Sequence, residues 1–168
     1  MRSFETEQKY RLKHPAKVRE LLSKLGARKI AGGIEINEFF DREKELGKKR
    51  LAVRLRKYGK NAVLTLKGPR LRSRFTKRME IETPVDHAPM RKILGLAGFK
   101  VVMCYKKERE LYRLDKSLIT LDLLSRFGWF LEIEGRTQAI QRLEKKLGLA
   151  FADREERSYL QMMFGYEH

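Results

Sequence analysis

This chain cannot form a disulfide within itself. Its 168 residues include a single cysteine, Cys104, which excludes an intramolecular disulfide framework and a cysteine-rich zinc site. Long apolar runs are missing too, since no stretch of about 18 apolar residues exists to cross a membrane as a helix. The opening Met1-Arg2-Ser3-Phe4-Glu5 lacks the apolar run of a signal peptide. A cytoplasmic location without a membrane partner is therefore expected. Acidic residues are scarce: 22 stand against 39 basic ones, for a net charge of +17. Such an excess suits a polyanion, most often nucleic acid, or a pocket for a small, dense anion. There is no Pro/Gly/Ser-rich linker, no fixed-period repeat and no low-complexity segment. With 42% apolar residues the chain is long enough for one domain with a real core, so a single domain over residues 1–168 is expected.

What is present is alternation. In an extended chain successive side chains point to opposite faces. Along Phe4 to Tyr10, Glu5, Glu7 and Lys9 fall on one face, with Arg11 next, while Phe4, Tyr10 and Leu12 take the other. On this strand alone, a wet outer face explains the charges equally well. The same pattern returns, however. Arg54 and Arg56 alternate with Leu51, Val53 and Leu55. Beyond the turn Tyr58-Gly59-Lys60-Asn61, Thr65 and Lys67 alternate with Leu64 and Leu66. Gly68-Pro69 is expected to end that strand and to lead into a basic loop, Arg70 to Arg74. Thr76, Arg78, Glu80 and Glu82 then oppose Phe75, Met79 and Ile81. Val101 to Tyr112 carries charge on both faces, with Lys107 and Arg109 on one. Thr120 and Asp122 oppose Ile119, Leu121 and Leu123, and Glu132 and Glu134 oppose Trp129, Leu131 and Ile133.

The remaining segments read as follows. Val18, Leu21, Leu22 and Leu25 have helical spacing between Pro15 and Gly26. A strand is expected over Ile34 to Asp41, a loop over Asp41 to Arg50, and a break from Pro84 to Pro89. Met90 to Leu96, Gln138 to Leu147, and Asp153 to about Phe164 are expected as helices, the last capped by Asp153. About eight strands with mostly short connections favour antiparallel pairing. The fold class expected is α+β: an eight-stranded antiparallel barrel, closed or nearly closed, with helices packed outside and a charged lumen. Buried charges on this scale are tolerated only in a wet or ion-binding cavity. Carboxylates suit Mg2+ or Mn2+, and Arg and Lys suit phosphate, so a lumen holding both fits a metal-bound polyphosphate.

These residues resemble the CYTH superfamily, the triphosphate tunnel metalloenzymes, which include class IV adenylate cyclases and several triphosphatases. Glu5-x-Glu7-x-Lys9 matches its Glu-x-Glu-x-Lys signature. The match continues in order through Arg54-Leu-Arg56, Thr65-Leu-Lys67-Gly68-Pro69, Arg78-x-Glu80-x-Glu82, Lys107-x-Arg109, Leu121-Asp122 and Glu132-Ile-Glu134, and reaches Glu156 to Leu160. The resemblance implies metal ligation by Glu5, Glu7, Glu132 and Glu134, with Glu80, Glu82 and Asp122 as further metal or supporting groups. It implies triphosphate binding by Lys9, Arg54, Arg56, Lys67, Arg78, Lys107 and Arg109, and catalytic roles for Glu5, Glu7, Lys9 and Lys67. For any one of them, a plain salt bridge inside the tunnel is the competing explanation.

Two departures stand out. Class IV cyclases resemble one another in a His-Phe pair shortly before Glu-x-Glu-x-Lys, and no such pair precedes Glu5 here. Many members have Tyr-Phe-Asp on the second strand, where this chain has Phe39-Phe40-Asp41. The expected activity is Mg2+- or Mn2+-dependent hydrolysis of an organic or inorganic triphosphate, such as a nucleoside triphosphate, thiamine triphosphate or inorganic triphosphate. The alternative is a class IV adenylate cyclase that forms cyclic AMP and pyrophosphate. A non-catalytic binder of nucleic acid or polyphosphate is the third reading. Nucleic acid is not expected as the primary partner, because no RNA-binding motif with exposed stacking aromatics is visible. The chain is expected to be a monomer or a homodimer.

Overall fold

The structure, a computed structural model, describes residues 3–165; Met1 and Arg2, the first part of the polar N-terminus, lie outside the described residues, as do residues 166–168. In chain order the elements are β1 (Ser3–Leu12), α1 (Pro15–Lys24), β2 (Arg28–Asp41), α2 (Glu45–Lys48), β3 (Ala52–Tyr58), β4 (Asn61–Leu71), β5 (Thr76–Val85), α3 (His87–Leu96), β6 (Lys100–Leu114), β7 (Ser117–Leu124), β8 (Gly128–Glu134), α4 (Thr137–Leu147), a 3-10 turn (Phe151–Asp153) and α5 (Tyr159–Phe164). The eight strands form a closed antiparallel barrel in the order β1-β5-β4-β3-β2-β6-β7-β8, with the five α-helices outside it. Among the described residues no helix is long and apolar enough to cross a membrane.

The chain packs as two compact units. One comprises residues 33–108 together with the start of β1; the other comprises residues 6–32 and the chain from residue 109 onward. In the first unit, β3 and β4 are joined by the two-residue turn Gly59-Lys60, with Gly59 at φ +60, a backbone that glycine adopts without strain. The register places Phe39, Arg54, Thr65 and Glu82 in one row across β2, β3, β4 and β5. Ala52, Lys67 and Glu80 form the next row on the same face. The opposite face is mainly apolar, although Glu38 pairs with Leu55 on it and bonds His87 and Arg91 of α3. There Phe40 and Leu55 pack with Leu94 of α3, joined by Val53, Leu64, Val85, Met90 and Phe99. Burying that face under α3 leaves the charged face as the one turned away from the helix.

The second unit repeats the division. Glu7 pairs with Glu134 and Lys9 with Glu132 across β1 and β8, and Thr120 faces Glu132 across β7 and β8. The alternate residues Tyr10, Ile119, Leu121, Leu131 and Ile133 are fully or almost fully buried. α4 packs on β8 and against α1, burying Ile140, Leu143 and Leu147 at helical spacing.

Several elements differ from the sequence expectation. The segment 41–50 contains a short helix, α2, because the Asp41 carboxylate accepts the backbone N–H groups of Arg42, Leu46 and Gly47 at 2.7, 3.0 and 3.1 Å. β4 does not stop at Gly68-Pro69; it continues past a register shift between Lys67 and Arg70. A bulge tolerates a proline without N–H. It also lets Gly68 sit where a Cβ would lie only 3.3 Å from the Cβ of Met79. β5 likewise continues through Pro84, and α3 starts at His87, with Pro89 in its first turn, where a missing N–H costs little.

No single helix runs from Asp153 either. Residues 154–158 are not helical: Arg154 bridges Tyr10, and the Glu155 N–H donates to the Lys9 carbonyl at 3.0 Å. The cap of α5 is Ser158, whose hydroxyl accepts the Gln161 N–H while the Gln161 side chain accepts the Ser158 N–H.

Candidate active site

The first unit holds a ladder of charge on β3, β4 and β5, buried at Arg54, Lys67 and Glu80. Glu80 is 1% exposed, and its Oε1 accepts from Lys67 Nζ at 2.5 Å and from Arg78 Nε at 2.9 Å. Burial alone would raise this carboxyl; the nearby cations Lys67, Arg78 and Arg54 outweigh it and hold Glu80 below the ordinary carboxylate range. One row along, Glu82 Oε1 accepts from the Thr65 hydroxyl at 2.7 Å and from Arg54 at 3.4 Å, and lies 3.5 Å from an Arg56 nitrogen. Arg54 Nε is buried without a hydrogen-bond partner among the described residues, a donor that an anion could satisfy. On β6, Lys107 pairs with Glu35 at 3.3 Å, and Asn37 donates to the same carboxylate at 2.9 Å.

The second unit holds another network. Arg109 grips Asp122 with two hydrogen bonds of 2.7 Å and reaches Glu132 at 3.0 Å. This fork-on-carboxylate geometry fixes the guanidinium plane. Lys9 Nζ donates to the Arg157 carbonyl at 3.0 Å, lies 3.5 Å from Glu132, and sits 3.8 Å over the Tyr159 ring. The Tyr159 hydroxyl donates to Asp122 at 2.9 Å. Burial first, then the charges of Asp122 and Glu132, keep that phenol protonated far above the ordinary tyrosine range.

Within the first unit, then, the structure gathers Arg54, Arg56, Lys67, Arg78, Glu80 and Glu82 and pairs Lys107 with a separate carboxylate. Within the second it gathers Lys9, Arg109, Asp122 and Glu132, with Glu7 and Glu134 as neighbouring register partners. Glu5 is half-buried on β1. Glu35, Asn37 and Tyr159 are additions to the expected site residues, although Tyr159 lies within the matched segment Glu156 to Leu160, where it was given no role. The alternation of Glu35 and Asn37 with Ile34 and Ile36 was the available signal for two of them. Phe39, where many relatives of this pattern carry tyrosine, lies in the Arg54 row and stacks on Tyr105 at 6.0 Å.

Among the described residues no three His, Cys, Asp or Glu side chains are gathered so as to hold a metal ion. The donor chemistry still fits a hard cation. Glu7 and Glu134 stand directly opposite each other on one face, which brings Cβ atoms to about 4.5–5.5 Å. Mg2+ is commonly held by one or two carboxylates, with substrate phosphates and water completing its shell.

Comparison with known proteins follows the same lines. The CYTH domain matches residues 3–159. A Methanocaldococcus jannaschii protein named "putative adenylate cyclase" is 31% identical over 146 residues, covering 86% of this chain and 83% of that protein. A Vibrio parahaemolyticus crystal structure, titled as a "putative adenylate cyclase", superposes with a TM-score of 0.84 at 25% identity, covering 96% of this chain and 98% of that one. A Hippeastrum structure, described as a "putative adenylyl cyclase" with a dominant triphosphatase activity, has a TM-score of 0.71 at 17% identity over 99% and 96% of the two chains, and it shares the fold. With nearly its whole length matched and its charged ladders on barrel strands, this chain belongs to the CYTH domain family.

Proposed function

We propose that this protein is a divalent-metal-dependent triphosphatase. The observation that carries the reading is the ladder of cations Arg54, Lys67 and Arg78, the first two buried and the third half-buried, each held in place by Glu80 or Glu82. Buried ion networks rarely add stability over apolar packing, so a network of this size is better explained by a charged ligand. In the first unit Arg54, Arg56, Lys67, Arg78 and Lys107 would hold phosphate oxygens; in the second, Lys9 and Arg109 would do so. Glu80, Glu82, Asp122 and Glu132 would position those cations. Glu7 and Glu134, with Glu5 two residues before Glu7 on β1, would hold a divalent cation, which when bound neutralises charge on the phosphate oxygens. Water would attack the terminal phosphorus, the bond to the bridging oxygen would break, and phosphate and the shortened chain would leave. The protein's part is alignment and charge stabilisation, which dominate phosphoryl transfer.

A second reading is a class IV adenylate cyclase, favoured by the name that the Methanocaldococcus relative carries. There the ribose 3′-hydroxyl attacks the α-phosphorus of ATP and pyrophosphate leaves. One assay separates the two. Purified protein with Mg2+ or Mn2+ is given ATP, inorganic triphosphate and thiamine triphosphate in parallel, beside a Glu5→Gln/Glu7→Gln variant and a chelator control. Phosphate release that variant and chelator both abolish, with activity restored by added metal, is the expected outcome. Cyclic AMP with pyrophosphate would replace this reading by the cyclase. Tight triphosphate binding without turnover would leave only a binding module.

A further inference from the structure

Lys9 and Arg109 reach their positions by different supports, and one side chain touches both Lys9 and the carboxylate that holds Arg109. Tyr159, the first residue of α5, presents its ring face to Lys9 Nζ at 3.8 Å. Its hydroxyl donates at 2.9 Å to Asp122 Oδ2, the same oxygen that receives a 2.7 Å bond from Arg109. Phe130 holds the Tyr159 ring edge-on, with centroids 5.5 Å apart, and Tyr159 is 5% exposed. The backbone leading to it runs beside β1. The Glu155 N–H bonds the Lys9 carbonyl, and the Arg157 carbonyl receives the Lys9 ammonium.

We propose that Tyr159 is a positioning residue of the triphosphate site, setting Lys9 through its ring and Arg109 through Asp122. The proposal rests on the triphosphate reading above. A lysine ends in a compact charge on a flexible four-carbon stem, so its location depends on what surrounds the ammonium. The negative ring face attracts that ammonium while donating no competing hydrogen bond, and the Arg157 carbonyl and Glu132 fix its direction. Arg109 depends on the plane of the Asp122 carboxylate. The phenolic hydrogen bond fixes that plane from the side of Oδ2, and the Thr120 hydroxyl, 3.5 Å away, adds little to it. An anion arriving at Lys9 and Arg109 therefore meets two cations oriented through one buried aromatic. Neither cation has to be reorganised, which is the condition for efficient charge stabilisation.

The two functions of Tyr159 can be separated by substitution. Tyr159→Phe keeps the ring over Lys9 and removes the bond to Asp122; Tyr159→Leu removes both. The proteins are compared with wild type in turnover and in calorimetric binding of inorganic triphosphate with Mg2+, below the unfolding temperature of each. Lysine side-chain Cε–Hε NMR signals are recorded alongside. Tyr159→Phe is expected to lower kcat/KM about 10-fold and Tyr159→Leu about 100-fold. The ring-current-shifted Lys9 signal should persist in Tyr159→Phe and vanish in Tyr159→Leu. In an Arg109→Lys background, Tyr159→Phe should have no further effect on turnover.

A Tyr159→Leu protein that is folded and binds and hydrolyses triphosphate like wild type would overturn the proposal. So would an unshifted Lys9 signal in wild type. A wild type that neither binds nor hydrolyses triphosphate refutes the functional reading itself and this proposal with it. A wild type that binds without turnover refutes only the hydrolase, and relative affinity then decides: about 10-fold weaker binding by Tyr159→Leu supports positioning, and equal affinity overturns it.

Discussion

Glu155 is a side chain whose ionisation contributes to acid stability. Hydrogen bonds from the Arg157 side chain come first; the Arg157 N–H and Arg11 add to them, and together they outweigh burial and lower its carboxyl from 4.5 to about 2. The folded-state value lies below the unfolded one, so the stabilisation is complete above about pH 4.5 and is lost as pH falls toward about 2. The guanidinium partners are 44% and 58% exposed, which limits the contribution to about 1 kcal/mol after solvent screening. Glu155→Gln should therefore lower the melting temperature at pH 7 and flatten its decline between pH 5 and pH 3. Parallel pH profiles for the two proteins would show that the carboxylate is not held this way. The residues with alternating charge were legible at this scale, because residue type and spacing are properties of the chain itself. Their partners were not: Glu80 lies across a strand from Lys67 and two residues from Arg78, and only pairing brings both cations to one oxygen.

Elements are decided by ends as much as by periodicity. α5 has only six residues, too short to persist without its cap and its packing. Ser158 and Gln161 exchange hydrogen bonds at 3.2 and 2.9 Å at its start. Ser158→Ala should cost about 1 kcal/mol in denaturant unfolding. Because Tyr159 follows the cap directly, the same variant should weaken triphosphate turnover more than its stability loss accounts for. An unchanged rate per folded molecule would separate the cap from the site. The helices α1 and α4 were readable from apolar spacing alone. The ends of β4 and β5 were not. Gly68, Pro69 and Pro84 are ordinary stop signals, yet here they lie inside strands, where a bulge and the lost N–H are tolerated. The start of α5 was missed for a related reason. Asp153 satisfies the Ala150 N–H instead of capping a long helix, and the next residues spend their hydrogen bonds on β1.

At the scale of the whole molecule the net charge of +17 is the dominant property. It produces a long-range field that draws anions, and salt screens such a field over about 10 Å at 0.1 M ionic strength. Raising ionic strength from about 0.01 to about 0.5 M should slow triphosphate association on the order of 10-fold, with a smaller change in dissociation. Stopped-flow binding measures both. An association rate independent of salt would mean that the excess charge serves some other contact.

The sequence by itself determined the alternating charged faces, the covered apolar faces, the number of strands and the family pattern from Glu5 to Glu134, because each is a matter of residue order and period. Tertiary structure alone decided which cation each carboxylate holds, where β4 and β5 continue past their prolines, and that Tyr159 meets both Lys9 and Asp122. Those contacts join residues as far apart as Lys9 and Arg157. Their geometry depends on strand register and on how the C-terminal segment runs beside β1, and no local pattern encodes either.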